Sequence, residues 1–290
     1  DKEAVMFIPA KHLLLIVSLC FWSNSVYAET VSLKTPGNIL STADYQQGDS
    51  GKPLLIFIHG FLQTRSFTTV ARLFDALHES GFPVLAPTLS LGISSRAQAL
   101  PCESIHLHSL DSDTEEIELW IEWAVSHGHS EIVLIGHSAG SVNITAYLGG
   151  KIHPQVKKSI LISLTYFGPD RAAAFETEAH AQKARDMLNN GETGVDMFAL
   201  AFCKEYVSTA KDFLSYYDWS DKQVLKAIDV DSSENFIIIG SKDERIGQKW
   251  ISALKQDSGK VIVIEGASHF FDQSHEFDLL DSVESILSGD

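Results

Sequence analysis

Five residues, Gly136-His137-Ser138-Ala139-Gly140, restrict the folds open to this chain more than any other stretch. They follow an apolar run, Glu131-Ile132-Val133-Leu134-Ile135, that reads as a buried strand. They precede Ser141 to Leu148, which can be helical. A serine between two glycines at a strand-to-helix junction is the pattern of a nucleophile elbow. In so sharp a turn a side chain at position 136 or 140 would obstruct neighbouring backbone, and glycine removes it. The turn lifts the Ser138 hydroxyl off the sheet edge, where a substrate carbonyl can reach it. A glycine-rich turn with a bystander serine would carry the same letters, so the surroundings decide between the two.

Two further strand ends supply what a serine nucleophile needs. Near the C-terminus, Lys260-Val261-Ile262-Val263-Ile264 is followed by Glu265-Gly266-Ala267-Ser268-His269-Phe270-Phe271. Earlier, Asn235-Phe236-Ile237-Ile238-Ile239-Gly240 is followed by Ser241-Lys242-Asp243-Glu244-Arg245. A serine hydroxyl is a poor nucleophile at neutral pH, so a base must take its proton during attack. Histidine suits that task, and a carboxylate holds the imidazole tautomer and stabilises the imidazolium. These roles fall to Ser138 as nucleophile, His269 as base and Asp243 as orienting acid. Each has rivals: His137 and His275 for the base, Asp170, Glu244 and Asp272 for the acid. His137 should point away from the serine beside it, and His275 and Asp272 suit the start of a last helix.

The tetrahedral intermediate of acyl transfer needs fixed donors for its oxyanion. One is the amide after the nucleophile, Ala139. The second is expected from the loop after an upstream strand. Pro53-Leu54-Leu55-Ile56-Phe57-Ile58 is such a strand, and His59-Gly60-Phe61-Leu62 follows it, which places the second amide at Phe61. His-Gly-Phe, Gly-His-Ser-Ala-Gly, Gly-Ser-Lys-Asp and Gly-Ala-Ser-His together resemble the α/β-hydrolase superfamily, especially its single-domain esterases and lipases. The similarity runs from about Gly51 to the end. It implies a mainly parallel sheet with helices on both faces and the chain order Ser, Asp, His. Many hydrolases of that superfamily carry Gly-x-Gly-x-Ser after the fourth strand. This chain has Pro87-Thr88-Leu89-Ser90-Leu91-Gly92-Ile93-Ser94-Ser95-Arg96 instead, so no particular activity transfers.

The alternation of elements along the chain independently argues for such a sheet. A leading hairpin is expected around Thr35-Pro36-Gly37-Asn38. An amphipathic helix should run from about Ser66 to Ser80, and another should open at Ser112 with Glu115 completing a capping box. Two stretches break the rhythm. Gly92 to Asp111 holds Arg96, Cys102, Glu103, His106 and His108, whose spacing fits no zinc pattern. A loop bordering the cleft, with Arg96 and His106 touching substrate, is the expectation, against an ordinary solvated loop. Residues 167–233 read as a helical, amphipathic insertion rich in aromatics, including Phe198, Phe202, Tyr206, Phe213, Tyr216, Tyr217 and Trp219. In this fold such an insertion commonly forms a lid, with most aromatics packing it down and a few lining an apolar pocket.

The 290 residues suit one domain with an insertion, here 29–290 after a signal peptide at 1–28. Lys11 and His12 precede the apolar Leu13 to Trp22, and Val26-Tyr27-Ala28 offers a cleavage site, so an exported, periplasmic or secreted product is expected. The apolar stretch is too short to span a bilayer comfortably, so no stable membrane anchor is expected. An uncleaved N-terminal helix is the competing reading. Formal net charge is −16, which disfavours nucleic acid and anionic surfaces as partners. Once the signal is cut, Cys102 and Cys203 are the cysteines left, and an oxidising setting allows them to pair; two separate buried thiols are the alternative. The resulting expectation is an ester hydrolase acting through an acyl-enzyme on a small-molecule ester, with no metal or organic cofactor. A peptidase or amidase on the same residues, or a non-catalytic binding module on the same fold, are the competing functions. Oligomeric state is not legible in the sequence.

Overall fold

Strands whose side chains are buried on both faces lose the apolar-polar alternation and become continuous apolar runs. Leu54–Ile58 shows why: Leu54, Ile56 and Ile58 enter one core, while Leu55 and Phe57 enter the other. The computed structural model describes residues 28–169, 177–229, 234–257 and 260–289. In chain order the elements are β1 (Glu29–Thr35), β2 (Ile39–Gln46), β3 (Leu54–Ile58), α1 (Thr68–Glu79), β4 (Val84–Thr88), β5 (Ile105–His106) and α2 (Leu110–Ser126). There follow β6 (Ile132–His137), α3 (Ala139–Leu148), β7 (Val156–Ile162), α4 (Thr177–Asn189), β8 (Val195–Leu200), β9 (Cys203–Thr209), α5 (Ala210–Tyr217) and α6 (Asp221–Ile228). The chain ends with β10 (Glu234–Gly240), α7 (Gln248–Asp257), β11 (Val261–Ile264) and α8 (His275–Ser288).

Eight strands form the central sheet in the order β1-β2-β4-β3-β6-β7-β10-β11. The hairpin β1-β2 is antiparallel, β2 is antiparallel to β4, and the strands from β4 to β11 run parallel. Helices cover both faces. Leu73, Phe74 and Leu77 of α1 pack with Leu279 and Val283 of α8 in one core. Trp120 of α2, Val142 of α3 and Trp250 of α7 belong to the other. The expected start of α2 is corrected. Its N-cap is Ser109, whose hydroxyl accepts from the Ser112 amide while the Ser112 hydroxyl accepts from the Ser109 amide. A serine thus takes the place that glutamate usually fills in a capping box. The extra turn buries Leu110 and Asp113.

The insertion is not wholly helical. Residues 195–209 form the antiparallel pair β8-β9, and β5 joins it in parallel to make a second, three-stranded sheet. Its pairing with β5, about a hundred residues upstream, is a tertiary contact that local amphipathicity does not report. Leu200 pairs with Cys203, so Ala201 and Phe202 form the hairpin tip, with Ala201 at φ 55°. Cys102 and Cys203 are bonded, their Cα atoms 5.4 Å apart, which ties the loop after β4 to the foot of that tip. Residues 1–27 of the expected signal peptide (1–28) and Asp170 lie outside the described residues. No helix among the described residues is long and apolar enough to cross a membrane.

Candidate active site

Strands β3, β6, β10 and β11 are parallel neighbours or near neighbours, so the loops at their C-terminal ends share one rim of the sheet. Open α/β sheets place ligands at that rim. At the end of β6 the backbone of Ser138 is held at φ 56° and ψ −119°. A non-glycine residue is rarely found there, and such a conformation costs about 1–3 kcal/mol. The two flanking glycines make it attainable. A Cβ at Gly136 would lie 2.6 Å from the Gly140 carbonyl carbon, and one at Gly140 would lie 2.1 Å from the Ile58 carbonyl oxygen. The Ser138 amide bonds the Ile162 carbonyl at 2.9 Å, fixing the elbow to β7.

The structure brings Ser138, His269 and Asp243 together. His269 Nε2 lies 2.8 Å from Ser138 Oγ, and His269 Nδ1 lies 2.8 Å from Asp243 Oδ2. Asp243 is completely buried, and its other oxygen accepts from the amides of Arg245 (3.1 Å) and Ile246 (3.3 Å). The carboxylate is therefore oriented by backbone on one side and left to meet the imidazole on the other. Ser163 Oγ and His137 Nε2 both donate to the His269 carbonyl, at 3.1 and 2.9 Å. Burial, reinforced by nearby His269, pushes the His137 pKa down to about 3, so its ring is a neutral prop against the His269 backbone. His275 pairs with Asp278 at the start of α8, Asp272 accepts from Ser268 Oγ, and Glu244 is exposed to solvent.

Ser138 and His269 open into a cavity of about 250 Å³. Phe61 and Ala139 line it beside the serine, and Phe67, Phe167, Phe202 and Phe270 supply aromatic walls. A larger groove, about 620 Å³, runs between α1 and α8 and shares Phe67 and Phe270 with this cavity. It holds none of the three hydrogen-bonded residues, whereas the smaller space holds Ser138 and His269.

The sequence profile described as "Alpha/beta hydrolase family" matches residues 55–280, which carry the elbow and both partner loops. The chain belongs to this family. None of the curated proteins is similar enough in sequence to count as a match. Among solved structures, this α/β-hydrolase is similar to Est1E from Butyrivibrio proteoclasticus, at 16% identity and a TM-score of 0.64 over 90% of this chain and 98% of that one. Est1E with ferulic acid bound gives 17% and 0.65, over 89% and 98%. The Pyrococcus furiosus esterase Pf2001 gives 16% and 0.62, over 91% and 90%. At such identities the likeness speaks to fold.

Two substrate contacts expected of the hydrolase are corrected. Arg96 is buried away from the cavity. Its guanidinium donates to the carbonyls of Leu89 (2.8 Å), Gln98 (2.9 Å) and Gln63 (2.8 Å) and to His59 Nε2 (3.1 Å). His59 Nε2 also accepts from the Leu89 amide at 3.0 Å, so its proton sits on Nδ1 and points to the Gly60 carbonyl, 2.9 Å away. Burial and the Arg96 charge hold the His59 pKa down at about 3. Arg96 thus clamps the loop that carries Phe61 and does not line the cavity. His106 is also buried. It stacks on Tyr206 with centroids 4.4 Å apart, and its Nε2 lies 3.2 Å from the Cys102 carbonyl. Both residues were drawn inward because the disulfide and β5 fold the loop after β4 over the core. Pocket-lining residues that the sequence did not announce include Phe67, Phe167, Phe270, Thr165 and Arg245. Phe270 and Arg245 stand within two positions of His269 and Asp243, which was the available signal; Phe67 had none.

Proposed function

We propose that this α/β-hydrolase is an exported serine hydrolase that cleaves carboxylic esters through an acyl-enzyme. The observation that carries the reading is the pair of 2.8 Å hydrogen bonds running from Ser138 through His269 to Asp243 at the floor of an aromatic-walled cavity. In the proposed first step Ser138 Oγ bonds to the ester carbonyl carbon as its proton passes to His269 Nε2. Asp243 holds the Nδ1 proton and stabilises the imidazolium. The amides of Phe61 and Ala139 serve as donors to the oxyanion, one such donor being worth roughly 2.7–4 kcal/mol. His269 then returns its proton to the departing alcohol. Water, deprotonated by the same imidazole, attacks the acyl carbon and frees the acid and Ser138.

The cavity's volume suits a small acyl or alcohol group, and a structural neighbour holding ferulic acid is in keeping with a small-molecule substrate. The insertion is proposed to act as a lid. Phe167, Ala201 and Phe202 line the cavity from its side, and the Cys102–Cys203 bond would limit how far the tip opens. The signal-like N-terminus and a disulfide, which persists in oxidising compartments, support export. Labelling with a fluorophosphonate probe tests the chemistry. Wild type should label and Ser138→Ala should not; equal labelling would move the nucleophile elsewhere. N-terminal sequencing of protein recovered from outside the cytoplasm should begin at Glu29.

A further inference from the structure

Asp243 needs two amides from the turn that follows it, and residue 245 supplies one of them through its backbone, a service any residue but proline could give. The Arg245 side chain is not required for that turn. Its guanidinium instead lies over the Phe270 ring, 4.8 Å from the centroid, and Arg245 lines the cavity that holds Ser138 and His269. Among the described residues the guanidinium makes no ion pair or side-chain hydrogen bond. A face-stacked guanidinium keeps its N–H edges directed outward in a planar fork, the geometry that fits a carboxylate with two parallel hydrogen bonds.

The surroundings make that fork conspicuous. Gly60, Phe61, Phe67, Phe167, Phe202 and Phe270 contribute apolar surface to the cavity. Of the two histidines, His137 is kept neutral by burial and His269 is engaged with Asp243 and Ser138. Asp243 is completely buried against its own partners. Arg245 is exposed and is the one lysine or arginine among the described residues lining the cavity. A chain of net charge −16 repels anions at long range, and salt screens that repulsion beyond about 10 Å, so an anion can be recognised here only at contact.

Resting on the ester-hydrolase reading above, we propose that Arg245 is a specificity-determining residue that binds a carboxylate on the substrate, so that the preferred esters are anionic. The apolar walls hold the carbon skeleton, the fork holds the carboxylate at the mouth, and the ester carbonyl is left over Ser138.

The test pairs anionic and neutral esters of matched shape on the purified full-length protein. Mono-p-nitrophenyl glutarate against p-nitrophenyl pentanoate places the charge on the acyl side. p-Acetoxybenzoate against p-tolyl acetate places it on the alcohol side. Wild type should favour the anionic member of one pair through a lower KM, and added salt should erode the preference. Arg245→Gln should raise that KM about tenfold or more, as loss of a charge-assisted hydrogen-bond pair requires, and leave the neutral partner within about twofold. Arg245→Lys should keep part of the preference, since it retains charge without the fork. Equal losses on both members would assign Arg245 to the electrostatics of His269 and Asp243 and overturn the proposal; unchanged KM values on both would also overturn it. Calorimetric binding of benzoate gives a readout without turnover. Ser138→Ala should still bind benzoate and Arg245→Gln should not, so failure of the ester chemistry and failure of the anion site are told apart. Equal benzoate affinity in both variants would sink the anion site even if every ester were hydrolysed.

Discussion

Ser138 and Phe202 face the same cavity, but they are held there by different means. Ser138 sits on a strained backbone at the end of a central strand, with glycine on either side and its amide tied to β7. Phe202 sits at a hairpin tip outside the main sheet, held from below by a disulfide and from the side by its ring contact with Phe61, 5.6 Å between centroids. The reacting half is thus set by backbone geometry that tolerates almost no side-chain change. The covering half is set by a crosslink and aromatic packing, which admit other residues of similar bulk. The proposed function gives chemistry to the first half and substrate fit to the second, so changes in each should have separate signatures.

The largest expected effect is on the sheet rim. His269→Ala should lower turnover of a neutral aryl ester by about three powers of ten or more, because without the imidazole neither proton transfer is assisted. Its unfolding midpoint should move far less than its activity. Steady-state rates beside a urea titration would check both, and near-normal turnover would place the base elsewhere. The covering half should behave in the opposite way. Cys102→Ser with Cys203→Ser should destabilise the protein by up to about 4–5 kcal/mol in the chain-entropy account, since the bond closes a loop with a sequence separation of 101. At temperatures where the double variant is folded, kcat for a small aryl ester should stay within about threefold of wild type. A collapse of kcat at full folding would mean that the tip helps to hold the reacting groups and would end the division between the two halves.

That division also explains what could be read from the amino acids. The strands β3, β6, β10 and β11 and the positions of Ser138, Asp243 and His269 follow from local patterns: apolar runs with a turn at a fixed offset. The family match and the structural neighbours bear out the fold read in this way. The insertion differs from the helical expectation at residues 195–209, where β8 and β9 pair with each other across the Ala201-Phe202 tip. Two distant partners, β5 and Cys102, then tie that hairpin down, and local amphipathicity reports neither. Arg96 and His106 failed for a related reason. Polar residues in a loop look like ligand contacts until the loop is folded inward and its carbonyls need donors. Arg96 meets three of those carbonyls and His59.

Arg96 therefore gives a graded test. Arg96→Met keeps the stem and deletes the donors, leaving the Leu89, Gln98 and Gln63 carbonyls without this partner. A stability loss of about 2–4 kcal/mol is expected from buried groups left unpaired. The ratio of anionic to neutral ester turnover should not change, in contrast to Arg245→Gln. A changed ratio with unchanged stability would return Arg96 to the substrate.

The smallest effect per residue is a matter of pH, and it touches both halves. Burial lowers the pKa of His59 and His137, beside the reacting groups, to about 3, and that of His106, in the covering half, to about 4. Each folded value lies below the ordinary one near 6.5, so over that interval the unfolded chain binds a proton that the folded one refuses. The stability linked to each histidine is complete above about pH 6.5 and is lost as pH falls toward its folded value, at roughly 1.4 kcal/mol per pH unit. His106→Phe separates one contribution from the others. The ring still stacks on Tyr206, the bond to the Cys102 carbonyl is lost, and one titrating site disappears. Urea unfolding from about pH 7 to 4.5 should show stability declining in wild type and declining less steeply in the variant, by about one proton's worth. Hydrolysis rates at pH 7 should stay close to wild type, because the ring lies away from the cavity. An unaltered slope would mean that the His106 ring takes up its proton in the folded protein, which its packing against Tyr206 and His108 argues against.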